Sequence, residues 1–194
     1  MAALVLEGVV VQDRTATPAV SLVVEAGQVV GLQCGSRSES RAFARAVGGV
    51  GPGPVDGSIA PDHDAIAYIP AGGGLLPQLT VHDNVTYRLA ADMARGVVDS
   101  EVSTVMTELR LVGVQARLPH EISAEQRARA AFARAALRYP AALVVDIAAT
   151  DDPPLRSVAT FAQPLLEMAD AIPVLVCTES RVVPEWADGW AVVG

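Results

Sequence analysis

The sequence predicts an α/β fold built around a parallel sheet that is buried on both faces. Three observations point to it. From residue 28 onward strand-like and helix-like segments alternate. The later strands, Ala142–Asp146 and Pro173–Cys177, are continuous apolar runs rather than alternating ones, as expected of strands covered on both sides. Hydrophobic residues make up 51% of the 194 and charged residues only 19%, which excludes a disordered chain. The length suits one domain, 1–194, in which a helices-only stretch at about 78–122 interrupts the alternation as an inserted helical subdomain.

The elements follow from local pattern. Leu4–Val11 alternates and reads as a half-exposed strand. Ala19–Val24 and Gln28–Leu32 are apolar strands around the turn Glu25–Ala26–Gly27. Ser38–Val47 has helical spacing with Phe43 and Val47 on one face, and Gly48–Gly57 is a Gly/Pro loop. Ile66–Ile69 is a short strand followed by the Gly-rich loop Pro70–Pro77, in which Gly72–Gly74 serve the turn. Thr80–Ala94 reads as a helix begun by Thr80-x-x-Asp83, Ser100–Leu111 as a second, and Ser123–Arg138 as a third begun by Ser123-x-x-Gln126 and stopped by Tyr139–Pro140. Leu155–Ala169 reads as a helix and Trp190–Val193 as a last strand.

Composition narrows the function. Net charge is −8 and the isoelectric point about 4.8, which argues against nucleic acid as a partner. All 14 basic residues are arginine; lysine is absent. Cys34 and Cys177 fit no metal or disulfide framework and suit a reducing compartment, as two small buried thiols. His63, His82 and His120 lack ligand spacing, so no metal is expected. The longest apolar runs are strand-sized, and Met1–Val11 reads as a strand rather than a signal peptide. Arg127, Arg129, Arg134 and Arg138 are expected on a solvated helix face, and Trp186 and Trp190 as core anchors.

Four strings in order carry a resemblance: VSLVVEAGQVVG (Val20–Gly31), IAYIPAGGGLLPQLTVHDNV (Ile66–Val85), PHEISAEQRARAAFARAALRYPAALVVD (Pro119–Asp146) and IPVLVCTES (Ile172–Ser180). Together they resemble the nucleotide-binding subunit of an ABC transporter: the strands into its phosphate loop, its Q-loop, its signature motif with the Walker B strand, and the strand ending at its switch histidine. The resemblance implies a RecA-like P-loop NTPase core with an N-terminal antiparallel β arm. It also implies a cytoplasmic subunit at the inner face of the plasma membrane, docked on a permease and paired with a second cassette.

Against that pattern the chemistry is missing. A phosphate loop of the form GxxGxGK(S/T) turns backbone N–H groups toward phosphates, places Lys at the β/γ-phosphates and holds magnesium with Ser/Thr. Here, after Gly35, Glu39 replaces the last glycine, Ser40 stands at the lysine and Arg41 at the magnesium hydroxyl. The Q-loop glutamine position is Ala71, the catalytic glutamate position after Asp146 is Ile147, and the switch histidine position is Glu179. No aromatic residue precedes Phe43 to stack on adenine. The expectation is a catalytically inactive cassette with no ATP, magnesium or other cofactor of its own. Ser36-Arg37-Ser38-Glu39 fits a capping box that closes the loop on itself.

Two functions remain for the surface. Ser123 and Gln126, at the signature motif, could reach a nucleotide held mainly by a catalytically complete partner cassette; equally they could be a plain helix cap. Glu125 would set a carboxylate beside that γ-phosphate. Leu79 and Val81, in the segment after the Q-loop, are expected to dock the permease. The alternatives are a free-standing structural or regulatory module, and an atypical ATPase using Arg37 or Arg41 in place of lysine.

Overall fold

The computed structural model describes residues 3–12, 16–87, 89, 95–147, 168–179 and 187–193. Its strands form two sheets. β1 (Ala3–Val10), β2 (Val20–Glu25) and β4 (Asp56–Ala60) make an antiparallel sheet in the order β2-β1-β4. β3 (Val29–Gln33), β5 (Ile66–Ile69), β6 (Ala142–Asp146), β7 (Val174–Thr178) and β8 (Gly189–Val192) make a parallel sheet in the order β5-β6-β7-β3-β8. The helices are α1 (Arg37–Val47), α2 (Val81–Thr86), α3 (Arg95–Glu108) and α4 (Ala124–Ala136).

Side-chain alternation on the parallel strands splits the interior into two cores. Leu143, Val145, Val174 and Val176 face a core completed by α2, α3 and α4. Ala142, Val144, Leu175 and Cys177 face a core completed by α1 and the antiparallel sheet. Every residue of β6 and β7 is buried. The continuous apolar runs therefore result from burial on both faces, as predicted.

β2 and β3 flank the expected turn but do not pair with each other. β2 joins β1, whereas β3 runs between β7 and β8, so the chain crosses from one sheet to the other at Gly27. Gly27 has φ 88°, a conformation that favours glycine. The Gly/Pro loop ends earlier than expected, because Asp56–Ala60 pairs antiparallel with β1 as β4. Its exposed, polar edge pattern gave no apolar signal.

The helical stretch also differs in its boundaries. α2 is capped as predicted, with Thr80 Oγ1 accepting from Asp83 N at 3.1 Å, but it closes at Thr86. Residues 88 and 90–94 of that expected helix lie outside the described residues. α3 starts earlier than expected and ends at Glu108, after which Arg110 takes φ 53° and Leu111 turns into the core. The expected helix at 155–169 lies outside the described residues except for its last two, and so does Trp186. Trp190 lies against the backbone of Gly31, where an added Cβ would meet its ring at 1.9 Å.

Candidate functional site

A parallel sheet delivers the ends of its strands to one rim. The order β5-β6-β7-β3 sets the loops after Ile69, Asp146, Thr178 and Gln33 side by side. That rim gathers Ala71, Asp146, Ile147, Glu179 and the 34–41 segment. Backbone bonds fix the neighbours: Cys34 N donates to Thr178 O at 2.8 Å, and Ile147 N to Cys177 O at 3.0 Å.

The segment between β3 and α1 is closed by its own side chains. Ser36 is the N-cap, its Oγ accepting from Glu39 N at 3.2 Å. Glu39 reaches one residue further back than a capping box requires, and its Oε2 accepts from Gly35 N at 2.6 Å. A helix start presents unpaired N–H groups and a partial positive charge, which an anion satisfies. In this chain the anion is a side chain.

The arginines of the segment face carboxylates. Arg37 Nε lies 4.0 Å from Glu179 Oε1, and Arg41 Nε lies 3.8 Å from Asp146 Oδ2. Asp146 is buried while Arg41 is half exposed, so the pair spans the surface of the rim. Ser40 is fully buried, and its Oγ has no hydrogen-bond partner among the described residues. Ile147 packs on the helical core. The Cys34 thiol is pushed up to about 12, first by burial and then by the negative charges of Glu39, Asp146 and Glu179. Cys177 is raised for the same leading reason. Both thiols are buried and unpaired, as expected.

These groups do not fit a magnesium triphosphate. The Gly35 N–H is already occupied, the lysine position carries a short buried hydroxyl, and the two arginines of the segment, Arg37 and Arg41, already face Glu179 and Asp146. Among the described residues no group of three or more His, Cys, Asp or Glu is arranged to hold a metal ion.

Solved structures of the same shape decide the fold. The chain superposes with TM-score 0.77 on a subunit, cbiO1 from Clostridium perfringens, described as part of an ABC transporter complex; 97% of this chain and 83% of that one are covered at 16% identity. A structure described as the ATP-binding subunit of an ABC transporter gives TM-score 0.71 at 17% identity, covering 98% and 85%. The fold is that of an ABC cassette.

Curated relatives agree in kind. The spermidine/putrescine import ATP-binding protein of Chromobacterium violaceum is 31% identical over 144 residues, covering 69% of this chain and 40% of that protein. An aliphatic sulfonates import ATP-binding protein of Burkholderia cenocepacia is 33% identical over 141 residues, covering 69% and 51%. The chain thus spans about half or less of the length of these relatives. No family model matches it.

The signature positions are occupied by a cap. Ser123 Oγ accepts from Gln126 N at 3.1 Å, and Gln126 Oε1 accepts from Ser123 N at 2.9 Å. Both side chains are therefore engaged with each other's backbone. Glu125 does not project freely, because its Oε1 accepts from Arg129 Nε and Nη2 at 3.0 and 2.9 Å.

Two expectations need correction. The arginines of α4 do not form a solvated face. Arg129 is only 4% exposed. Arg127 donates to the carbonyls of Ile122 and Pro119, and Arg134 Nη1 and Nη2 donate to Gly74 O and Gly73 O at 2.9 and 2.8 Å. Only Arg138 is exposed. Arg134 and Arg127 tie down the loops that precede α2 and α4, whereas Arg129 pairs with Glu125 one turn back on α4 itself. Val81 is not a surface residue either: it is fully buried in the helical core, so its side chain cannot touch a partner, whereas Leu79 is half-buried.

Sequence reasoning missed Asn84, which organises the segment after the Q-loop position. It is fully buried; its Nδ2 donates to the carbonyls of Leu76, Leu79 and Thr80, each at 3.0 Å, and its Oδ1 accepts from Leu76 N at 2.7 Å. An amide between the apolar Val81 and Val85 on a short helix was the available signal. Gly72, Gly73 and Gly74 all have positive φ, so the glycine run serves the turn as expected.

Proposed function

We propose that this chain is a catalytically silent ABC cassette that works by binding. In this reading it sits on the cytoplasmic side of a membrane, docks on a permease through the surface around Leu79, and pairs with a second, catalytically complete cassette. The observation that carries it is the hydrogen bond from Gly35 N to Glu39 Oε2, which closes the loop on an internal anion. The ion pairs of Arg37 with Glu179 and of Arg41 with Asp146 support it, because they direct both candidate lysine substitutes at carboxylates. The import systems named for the curated relatives favour an importer, and their different cargoes, polyamines and sulfonates, leave the choice of cargo to the permease side.

No helix among the described residues is long and apolar enough to cross a membrane. The buried polar clamp of Asn84 and the fork of Arg134 hold the docking loop in one shape, as a binding role requires.

The test is titration of magnesium-ATP into the purified chain by calorimetry, with thermal unfolding alongside. A ligand that binds the native state raises its melting temperature by mass action. The expected result is no heat and no shift at millimolar nucleotide. Saturable binding would overturn the silent-cassette reading and favour the second one, an atypical ATP-binding cassette, which the ATP-binding names of the relatives support. In that case Ser123 and Gln126 would have to give up their mutual cap to reach a nucleotide.

A further inference from the structure

The parallel sheet has a second rim, at the starts of its strands and opposite the one described above. There residues 137–141 connect α4 to β6, and residues 168–173 lead into β7. A cleft of about 450 Å³ opens at this end, bounded on one side by α3. Among the described residues, Val105, Leu109, Ala136 and Met168 give it an apolar lining, and Glu108 and Asp170 add two carboxylates. A cavity of this size, apolar with a few placed polar groups, has the make-up of a small-molecule site.

Its charges are free to meet a ligand. Neither Glu108 nor Asp170 has a hydrogen-bond or ion-pair partner among the described residues, and both are exposed. By contrast Glu39, Glu125, Asp146 and Glu179 each face a partner of their own. Glu101, Val105 and Glu108 follow one another at intervals of four and three along α3, so they share one face. Glu101 holds the hydroxyl of Tyr139, and that bond pushes the phenol above its ordinary value. The Tyr139 ring, 66% exposed, therefore stands beside the cleft. Carboxylates and an aromatic face both attract a cation. The Met168 thioether, flexible and polarizable, adapts to an apolar body.

We infer that this cleft binds a small organic cation, an ammonium or guanidinium carried on an alkyl or aryl body. Glu108 and Asp170 meet the charge, and Val105, Leu109 and Met168 cover the body. The site is separate from the 34–41 segment and does not depend on the silent-cassette reading. α3 belongs to the helical stretch, whereas Met168 and Asp170 belong to the approach to β7. The bound cation ties one to the other, which makes this an effector site.

The test uses the purified full chain at low salt. Phenethylamine and hexylamine are the probes, with phenethyl alcohol and hexanol as uncharged counterparts. Calorimetry and thermal unfolding follow binding, and amide hydrogen exchange locates it. The expected result is a saturable rise in melting temperature with the amines and new protection in residues 102–109 and 168–172. The alcohols should bind at least about tenfold more weakly, and Glu108→Gln or Asp170→Asn should weaken the amines by about tenfold. Added salt should weaken the amines as well. Both acids are exposed, so the unliganded variants should melt as the parent does.

Failure of both amines to bind overturns the inference. So does equal binding of the alcohols, protection confined to other segments, or amine affinity unchanged in both variants. If the amines fail but an arginine-rich peptide protects the same residues, the cleft is a protein contact and the inference falls. None of these results bears on the magnesium-ATP titration, so the two readings fail separately.

Discussion

Replacing Glu39 tests the closed loop directly. Its carboxylate accepts the Gly35 N–H at 2.6 Å while its own N–H is capped by Ser36. A hydrogen bond to a charged acceptor contributes about 1.5–3 kcal/mol when shielded, and a carboxylate in the first turn of a helix about 0.3–1 kcal/mol more. Two effects reduce that sum. Gly35 and Ser36 are exposed, so water replaces part of the lost bond. Removing Glu39 also relieves its repulsion with the carboxylates that share its influence on Cys34, Asp146 and Glu179. A net loss of about 1–2 kcal/mol is expected for Glu39→Ala. Glu39→Gln keeps an acceptor without the charge and should lose about half as much. For a chain of this size each kcal/mol moves the melting temperature by about 2–4 °C, so the alanine variant should melt about 2–8 °C lower, read by circular dichroism and checked by urea unfolding at constant m. An unchanged or higher melting temperature for Glu39→Ala would refute the reasoning. It would mean that the carboxylate burdens an acidic rim rather than substituting for a bound anion.

Three further outcomes follow from the geometry. Asn84→Ala leaves the partly buried Leu76 N–H and three carbonyls without their partner and should cost about 3 kcal/mol in urea unfolding; a loss below about 1 kcal/mol would show that the loop carbonyls find other donors. Gly31→Ala drives a methyl into the ring of Trp190 and should cost about 1–3 kcal/mol, with a change in tryptophan fluorescence; native stability and an unchanged spectrum would remove Trp190 from its place on β3. With the Cys34 thiol raised to about 12, its thiolate at pH 8 is about a thousandfold scarcer than that of an ordinary cysteine, so alkylation should wait for unfolding. The sign for stability follows: the unfolded thiol ionises near its ordinary value while the folded one stays protonated, so this contribution is complete below about pH 9 and is lost as pH rises toward 12. Rapid alkylation of the native chain, or stability independent of pH across that window, would contradict the buried placement.

Much of the architecture was legible because local pattern and tertiary need coincide. Ile66–Ile69 and Ala142–Asp146 occupy the strands predicted for them, since solid apolar runs have no other place than a sheet covered on both faces. Ser36, Thr80 and Ser123 cap the helices they were assigned, because a cap is decided within four residues of chain. β4 escaped notice because its strand character comes from the edge of β1, which supplies hydrogen bonds to an exposed, polar segment. The α4 arginines were misplaced for a related reason. Their spacing looks solvated, but a distant loop brings the carbonyls of Gly73 and Gly74 onto Arg134, and the turn leading into α4 brings that of Ile122 onto Arg127.

The sequence by itself determined that lysine is absent, that Glu39 stands at a helix start, and that the positions of the resembled active site carry Ala71, Ile147 and Glu179. These are matters of composition and spacing, and no folding can alter them. Only the tertiary structure decided how the remaining charges are arranged: that Arg37 faces Glu179 and Arg41 faces Asp146 across the rim, that Val81 is sealed in the core, and that Arg134 is held by the carbonyls of Gly73 and Gly74. Charges and carbonyls act over a few ångströms, and residues more than a hundred positions apart come within that distance only when the sheet sets its strands in order.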